Sequence, residues 1–536
     1  MTSLLLTLTA ALPIVVVLVL MVAVKWSAAR AGIIAAVIAI LAALTAFSFG
    51  GADDAFTPVE GVTGVLARAV WVALTVMLII GPALGIHQLQ QRTGATSRLE
   101  AGLARITPDP RVAALLIVWF FTLFIEGAAG FGTPVALAAP FLVAAGFKPV
   151  MAVTAAMVGH ASGVTFAAVG TPTIAQATTT AIGIQELTWA ATPFNVVVGL
   201  VLAIAVARLV GTMVPSHGTP WGWMALAYVL FFVPYVVLAR FVGPELPSLA
   251  GSLAGALAFV AVVRVLRRKS AARRSALVAA GDTEPPEEQD ELAAEQHVRE
   301  AEEALESTIL PSMSMWRAAA PYLILVALVL VTRLIPAVQD AARSWTVNWE
   351  LFGEFAGDVQ PLYHPGVLLL AAFVGGGLVQ SAGGTALKGA FVTATTQLVP
   401  VFVALIAMVT VAFTMSHSGM TDQLATSASN TGAAWPLLAP MVGALGTFIT
   451  GSATASNLLF TEFQETTAVS AGFDPVPLLG AQNSGAAIGN IICPHNVVAA
   501  AATVGLSGRE GEVLRRTLPV AAIALVVSGL FALLVT

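Results

Sequence analysis

The sequence predicts an all-α polytopic membrane protein made of two inverted-topology repeats, each with a re-entrant helical hairpin and a broken transmembrane helix, about 12 full spans in total. Three observations predict it. The chain is 58% hydrophobic and 10% charged, and its apolar runs approach the ~20 residues that a helix needs to cross a bilayer. Part of it is written twice. Phe124-Ile125-Glu126-Gly127, Ala145-Gly146-Phe147-Lys148-Pro149, Gly159-His160-Ala161-Ser162-Gly163 and Gly170-Thr171-Pro172 return as Phe448-Ile449-Thr450-Gly451, Ala471-Gly472-Phe473-Asp474-Pro475, Gly480-Ala481-Gln482-Asn483-Ser484-Gly485 and Ile492-Cys493-Pro494, at offsets of 322 to 326. Basic residues, finally, fall on alternate connections.

In chain order, the expected full spans are 4–24, 31–49, 62–87, 149–182, 192–213, 219–241 and 246–266, then 317–336, 366–382, 398–417, 476–505 and 513–535. Arg111–Ile125, about 22 Å as a helix, and Pro134–Ala145, about 18 Å, each fall short of a ~30 Å hydrocarbon core. They read as a hairpin over 111–145 with its tip near Glu126–Pro134. A second hairpin covers 434–471, its tip near Gly451. The broken helices are 149–182 and 476–505. The domain plan is therefore a first repeat 1–213, two connecting helices in 214–266, a polar linker 267–315 and a second repeat 316–536. The linker, basic at first and then Glu/Ala-rich, reads as a solvated cytoplasmic segment. The run 4–24 has no basic residue ahead of it and is long for a signal peptide, so it reads as a retained helix.

Seven spans separate the starts of the two repeats, and a hairpin adds none or two. The count stays odd, so the repeats are inverted. With the N-terminus outside, Lys25, Arg92, Arg111, Lys148, Arg267, Arg273, Lys388 and Arg516 are cytoplasmic, whereas Asp53, Glu60, Glu186, Glu245, Glu350 and Asp358 are external. That is a positive-inside pattern with both termini external.

Several classes are disfavoured. Continuous apolar runs argue against a β-barrel. One cysteine, Cys493, excludes internal disulfides and a multi-cysteine metal site. There is no GxxxxGK[ST] loop for a nucleotide. The histidines lack ligand spacing, so neither a metal nor another cofactor is expected, nor an enzyme, nor a nucleic-acid partner.

Paired hydrophobic segments broken by Gly and Pro at corresponding places point to a transporter's binding site. A helix that begins inside the membrane presents free N–H groups and a positive dipole end to an anion. Thr133-Pro134 reads as an N-cap followed by proline at the first helical position, and Thr171-Pro172 does the same for the second half of its span. Cys493-Pro494 breaks the matching helix. The candidate shell is Gly130, Gly132, Thr133, His160, Ser162, Thr171, Gly451, Ser452, Thr454, Ser456, Asn457, Asn483, Ser484, His495 and Asn496. Glu126, a lone acid in an apolar run, is a candidate proton carrier, with a structural carboxylate as the other reading. His160 reads as a second proton-coupling candidate or as a neutral packed histidine. His87, His217 and His364 read as interfacial. Arg68 reads as a cation that snorkels to the outer surface, the alternative being a partner for an anion on its way in.

At these motifs the chain resembles the lactate permease family. The resemblance rests on Glu126-Gly127-Ala128-Ala129-Gly130-Phe131-Gly132-Thr133-Pro134-Val135-Ala136, Ala145-Gly146-Phe147-Lys148-Pro149, Gly170-Thr171-Pro172, Ser418-Gly419-Met420, Thr447-Phe448-Ile449-Thr450-Gly451-Ser452, Thr454-Ala455-Ser456-Asn457 and Asn483-Ser484-Gly485. It implies a cell-membrane secondary transporter that takes up lactate, glycolate or a related 2-hydroxy monocarboxylate by proton symport. The chain departs from the family's usual residues at His160, Glu462, Asn490, His495 and Asn496. Na⁺-coupled uptake of another organic anion is the competing transporter reading, and a passive anion channel is the reading from a different class.

Overall fold

A computed structural model describes residues 3–24, 26–47, 49, 56–104, 107, 109–130, 132–214, 218–279, 313–506 and 509–536. Most of the 267–315 linker, together with Lys25, Asp53, Phe131 and His217, lies outside the described residues.

The first repeat contains α1 (Ser3–Val22), α2 (Ala28–Ala46), α3 (Pro58–Arg92), the short α4 (Ala95–Ala104), the hairpin arms α5 (Pro110–Ala128) and α6 (Thr133–Ala144), the broken pair α7 (Pro149–His160) and α8 (Ala167–Ala177), and α9 (Ile184–Met213). Two helices, α10 (Trp221–Phe241) and α11 (Pro247–Ala279), follow it. The second repeat contains α12 (Met315–Leu334), the short α13 (Pro336–Arg343), α14 (Pro365–Val379), α15 (Gly384–His417), α16 (Met420–Ser429), hairpin arms α17 (Trp435–Thr450) and α18 (Ala453–Ser470), the broken pair α19 (Pro475–Ile492) and α20 (Pro494–Thr503), and α21 (Glu510–Val535). Among the described residues, 12 helices are long and apolar enough to cross a membrane, or up to 13 if each bent pair is one span. The chain is a multi-pass membrane protein.

The two halves share most of their elements, α13 and the β-hairpin being confined to the second. The helix α4 reappears as α16 at an offset of 325 residues at both ends. Contacts between the halves are reciprocal: α1 packs on α16 and α12 on α4, α2 packs on α15 and α14 on α3, α18 packs on α8 and α6 on α20. Such reciprocity is what a two-fold relation between the halves produces. The corresponding helices α3 and α15 also pack against each other.

Several expectations change. The helix α15 begins at Gly384, not 398, because Thr385, Lys388, Thr393 and Gln397 continue the helix beyond its apolar part. The first hairpin arm is longer than 111–125: a six-residue π-helical stretch, Leu116–Phe121, carries it to Ala128. By length and composition alone it qualifies as a span. The fold is not wholly α. Val347–Leu351 and Phe355–Val359 pair as an antiparallel β-hairpin between α13 and α14. Its Phe355 fills the space that Gly64 of α3 leaves empty and stacks on His417, with ring centroids 5.1 Å apart. His87, near the end of α3, is buried against protein, with Gln91 Nε2 3.1 Å from its ring nitrogen.

Candidate functional site at the meeting of the hairpin tips

The two tips and both helix breaks meet around one small space. It is lined by Glu126 and Gly130 from the first tip, by Val164, Ala167, Ala168, Thr171 and Pro172 from the first break, by Gly451, Ser452, Ala453 and Thr454 from the second tip, and by Asn490 beside the second break. Its volume of about 20 Å³ holds a water but not a hydroxy acid.

The first break is sharper than a proline kink. After α7 the chain winds as a 3-10 segment, Ala161–Phe166. Ala168, Val169 and Gly170 then take φ of 40°, 59° and 81°. Left-handed backbone at two non-glycine residues is costly and persists only where the surroundings over-determine it. Here they do. A Cβ on Gly170 would lie 2.8 Å from the Pro244 backbone, so the loop between α10 and α11 holds the segment from behind. Pro172 has no N–H to offer the carbonyl of Ala168, and the Thr171 hydroxyl donates to that carbonyl instead, at 2.5 Å. At the start of α11, Ser248 donates to Gly163 O at 2.7 Å, and its backbone abuts Gly127. The helical remainder, Thr171–Ala177, is under two turns, so its dipole is weaker than the Thr171-Pro172 motif suggests.

The second tip supplies the stronger helix end. Gly451, at φ 77°, closes α17, and Ser452 caps the 18-residue α18 by accepting from Ala455 N at 3.3 Å. At the first tip the expected Thr133 cap is displaced by one position. Gly132, at φ 77°, is the cap and Thr133 is the first helical residue, because its hydroxyl donates to Gly130 O at 2.7 Å rather than accepting from the helix.

Glu126 is 3% exposed, and its Oε2 has no partner among the described residues. His160 is fully buried, its Nδ1 3.1 Å from Ala156 O and its ring beside the Asn490 amide. Asn496 donates to Asn490 Oδ1, and its own Oδ1 is unpartnered and faces Gly132. Ser162 and Ser484 are buried, and their hydroxyls meet no partner among the described residues. His495 is exposed, next to Gly451.

Of the expected shell, Gly130, Thr171, Gly451, Ser452 and Thr454 line this space, whereas Gly132, Thr133, His160, Ser162, Ser456, Asn457, Asn483, Ser484, His495 and Asn496 do not. Ser456 donates to Gly443 O at 2.7 Å and so ties α18 to α17 inside the second hairpin. Asn457 and Asn483 form a buried layer behind the tip cavity. Asn457 Nδ2 donates to Asn483 Oδ1 and to Pro172 O, both at 3.0 Å, and Asn483 donates to Thr173 and Gln176. Residue-by-residue reading missed the contribution of Asn490 to the cavity and the left-handed Ala168-Val169 pair. Asn490 carried a signal, its position three residues before Cys493-Pro494. The pair carried none, because neither residue type favours that backbone. Among the described residues, no cation lines the cavity and no cluster of His, Cys, Asp and Glu fits a metal.

Comparison with known proteins adds the family. The L-lactate permease family matches residues 6–536. The L-lactate permease of Bacillus subtilis (strain 168) is 29% identical over 492 residues, 84% of this chain and 83% of that protein. The glycolate permease GlcA of Escherichia coli (strain K12) is 30% identical over 495 residues, 85% of this chain and 83% of that one. The solved structure of Neisseria gonorrhoeae MtrF aligns at a TM-score of 0.49 and 16% identity, covering 95% of each chain.

Proposed function

Because the chain belongs to the L-lactate permease family, we propose that it is a secondary active transporter that takes up lactate, glycolate or a related small 2-hydroxy monocarboxylate across the cell membrane by proton symport. The observation that carries this reading is the tip cavity itself. Both repeats contribute to it, a capped helix N-terminus opens onto it, and one carboxylate with a free oxygen lies in its wall.

The chemistry follows from those parts. A carboxylate in the enlarged cavity accepts hydrogen bonds from the first-turn N–H groups of α18 and from the Ser452 and Thr454 hydroxyls. Asn490 and Asn496 offer amides to the 2-hydroxyl. Glu126 carries the proton. Charged together, Glu126 and the substrate anion repel in a low-dielectric space, so a proton on Glu126 favours anion binding and release of one favours release of the other. His160, buried beside Asn490, is the second candidate for proton transfer.

In the proposed orientation both termini are external. Arg92, Arg111, Lys148 and Lys388 then face the cytoplasm, and Asp358 and the β-hairpin face outward.

The test is uptake of labelled lactate and glycolate by purified protein in liposomes under separately imposed H⁺ and Na⁺ gradients. Accumulation driven by an inward proton gradient alone is expected. Accumulation that requires Na⁺ would replace protons as the coupling ion, and equilibration without accumulation under either gradient would indicate a passive pathway.

A further inference from the structure

A second cavity, of about 580 Å³, has Phe413 in its wall, and the neighbouring His417 stacks on Phe355 of the β-hairpin. Arg68 of α3, Thr179 and Thr180 beyond α8, Ser416 of α15, and Glu462 and Glu465 of α18 line it. The Arg68 guanidinium lies 4.2 Å above the Phe413 ring. Among the described residues, no carboxylate forms an ion pair with it and no side chain accepts a hydrogen bond from it. Glu462 is within electrostatic reach but accepts from the Ser416 hydroxyl instead. The guanidinium of Arg68 is thus held over an aromatic ring with donors that meet no side-chain acceptor among the described residues.

Two helices run from this vestibule to the tip cavity. Thr171 of α8 and Thr454 of α18 line the tip cavity. Thr179, two residues past the end of α8, and Glu462 of α18, each eight residues further on, line the vestibule, about 12 Å away along α18. Between the two spaces the seam is shut: Ala175, Leu458 and Leu459 share one buried cluster, and Asn457 bonds Pro172 O. The inner space contains no cation, whereas the outer one contains a cation with free donors.

We propose that the vestibule is a second, shallow carboxylate site in which Arg68 takes the anion before the α8–α18 seam opens, and Glu462 is the internal anion that competes for Arg68. This rests on the small-carboxylate reading above for its natural occupant, but not for its test. Glu465, and Asp422 on α16, add negative charge nearby. They make the capture weak and reversible, which suits a site that must release inward.

The experiment places a single thiol, Thr466→Cys, in the vestibule of full-length protein carrying Cys493→Ala, reconstituted in liposomes. Its modification rates with an anionic sulfonatoethyl and a cationic trimethylammonioethyl methanethiosulfonate are compared. Arg68→Gln should lower the anionic-to-cationic rate ratio by about fivefold to tenfold, and Glu462→Gln should raise it by a similar factor. Arg68→Lys should stay near the parent ratio, which separates lost charge from lost folding. Acetate at millimolar concentration should slow the anionic reagent in the parent but not in Arg68→Gln. In transport, Arg68→Gln should raise the KM for lactate severalfold with kcat nearly unchanged, and Glu462→Gln should lower KM. A ratio that does not move with either substitution, or that moves in the same direction with both, overturns the proposal. Because the reagents report on the vestibule whether or not lactate is the substrate, failure of the transport reading alone remains distinguishable.

Discussion

Asn457 Nδ2 donates to Pro172 O across 3.0 Å, although 285 residues separate the two in sequence. The carbonyl belongs to the first turn of the short helix after the break, and the amide comes from the opposite repeat. The bond therefore joins the second hairpin to the first break, and Asn483 anchors the same amide from a third element. The cavity between the tips has its shape because these parts are tied together behind it.

Asn457→Leu should destabilise the protein by about 1–3 kcal/mol, since it leaves the Pro172 carbonyl and the Asn483 amide buried without their partner. Thermal unfolding in detergent should show a lowered midpoint, and the lactate KM should rise. An unchanged midpoint would mean that water replaces the amide at no cost.

Glu126→Gln removes the titrating oxygen while keeping a similar shape. Accumulation of substrate under a proton gradient should vanish, whereas exchange of external for internal substrate should persist. Normal accumulation by this variant would assign Glu126 a purely structural role and leave His160→Gln as the next variant to measure.

Gly451→Val places a branched side chain at φ 77° beside Cys493 and His495. The backbone strain alone is about 1–2 kcal/mol, and the side chain narrows the approach to Ser452. Calorimetric titration should show substrate binding weakened at least tenfold. Gly132→Ala should do the same more mildly, because its Cβ would lie 2.9 Å from Asn496 Oδ1.

Orientation can be read with two exposed positions, Lys388 and Asp358. In a Cys493→Ala background, a membrane-impermeant maleimide applied to intact cells should label Asp358→Cys and spare Lys388→Cys until the cells are opened. The reverse pattern would turn the whole molecule over.

Ser456→Ala should leave substrate affinity within about twofold of the parent, because its hydroxyl serves Gly443 O within the hairpin and the loss is one buried hydrogen bond of about 1 kcal/mol. Sequence alone suggested the opposite. It placed Ser452, Thr454, Ser456 and Asn457 together at a tip, but on a helix only part of such a run can face one cavity. Which face looks inward depends on the packing of α18 against α17, α19 and α8, which four polar residues in a row do not disclose.

Other features divide along the same physical line. Proline, glycine and the repeated motifs mark where helices stop, so both hairpins and both breaks were legible. Hydropathy marks where the chain meets lipid, not where a helix ends, so the polar beginning of α15 escaped notice. The Phe355 strand was hidden for a related reason: its short polar–apolar alternation lies in a connection, and its anchor is the missing side chain of Gly64, some 290 residues earlier. The left-handed turn at Ala168-Val169 is imposed by Pro244 and by Thr171, through tertiary contact and not through the residues that bend.

Gly451 touches the only thiol in the chain. A Cβ built on it would stand 3.7 Å from Cys493 Sγ, and that sulfur is 1% exposed. With the second tip down, the thiol is shielded; once the tip lifts from the second break, a small alkylating agent can reach it. The unmodified molecule thus carries its own clock. The rate at which N-ethylmaleimide consumes Cys493 counts openings of the second tip, and any ligand that holds the tips together should slow that count without a label, a mutation or a transport assay.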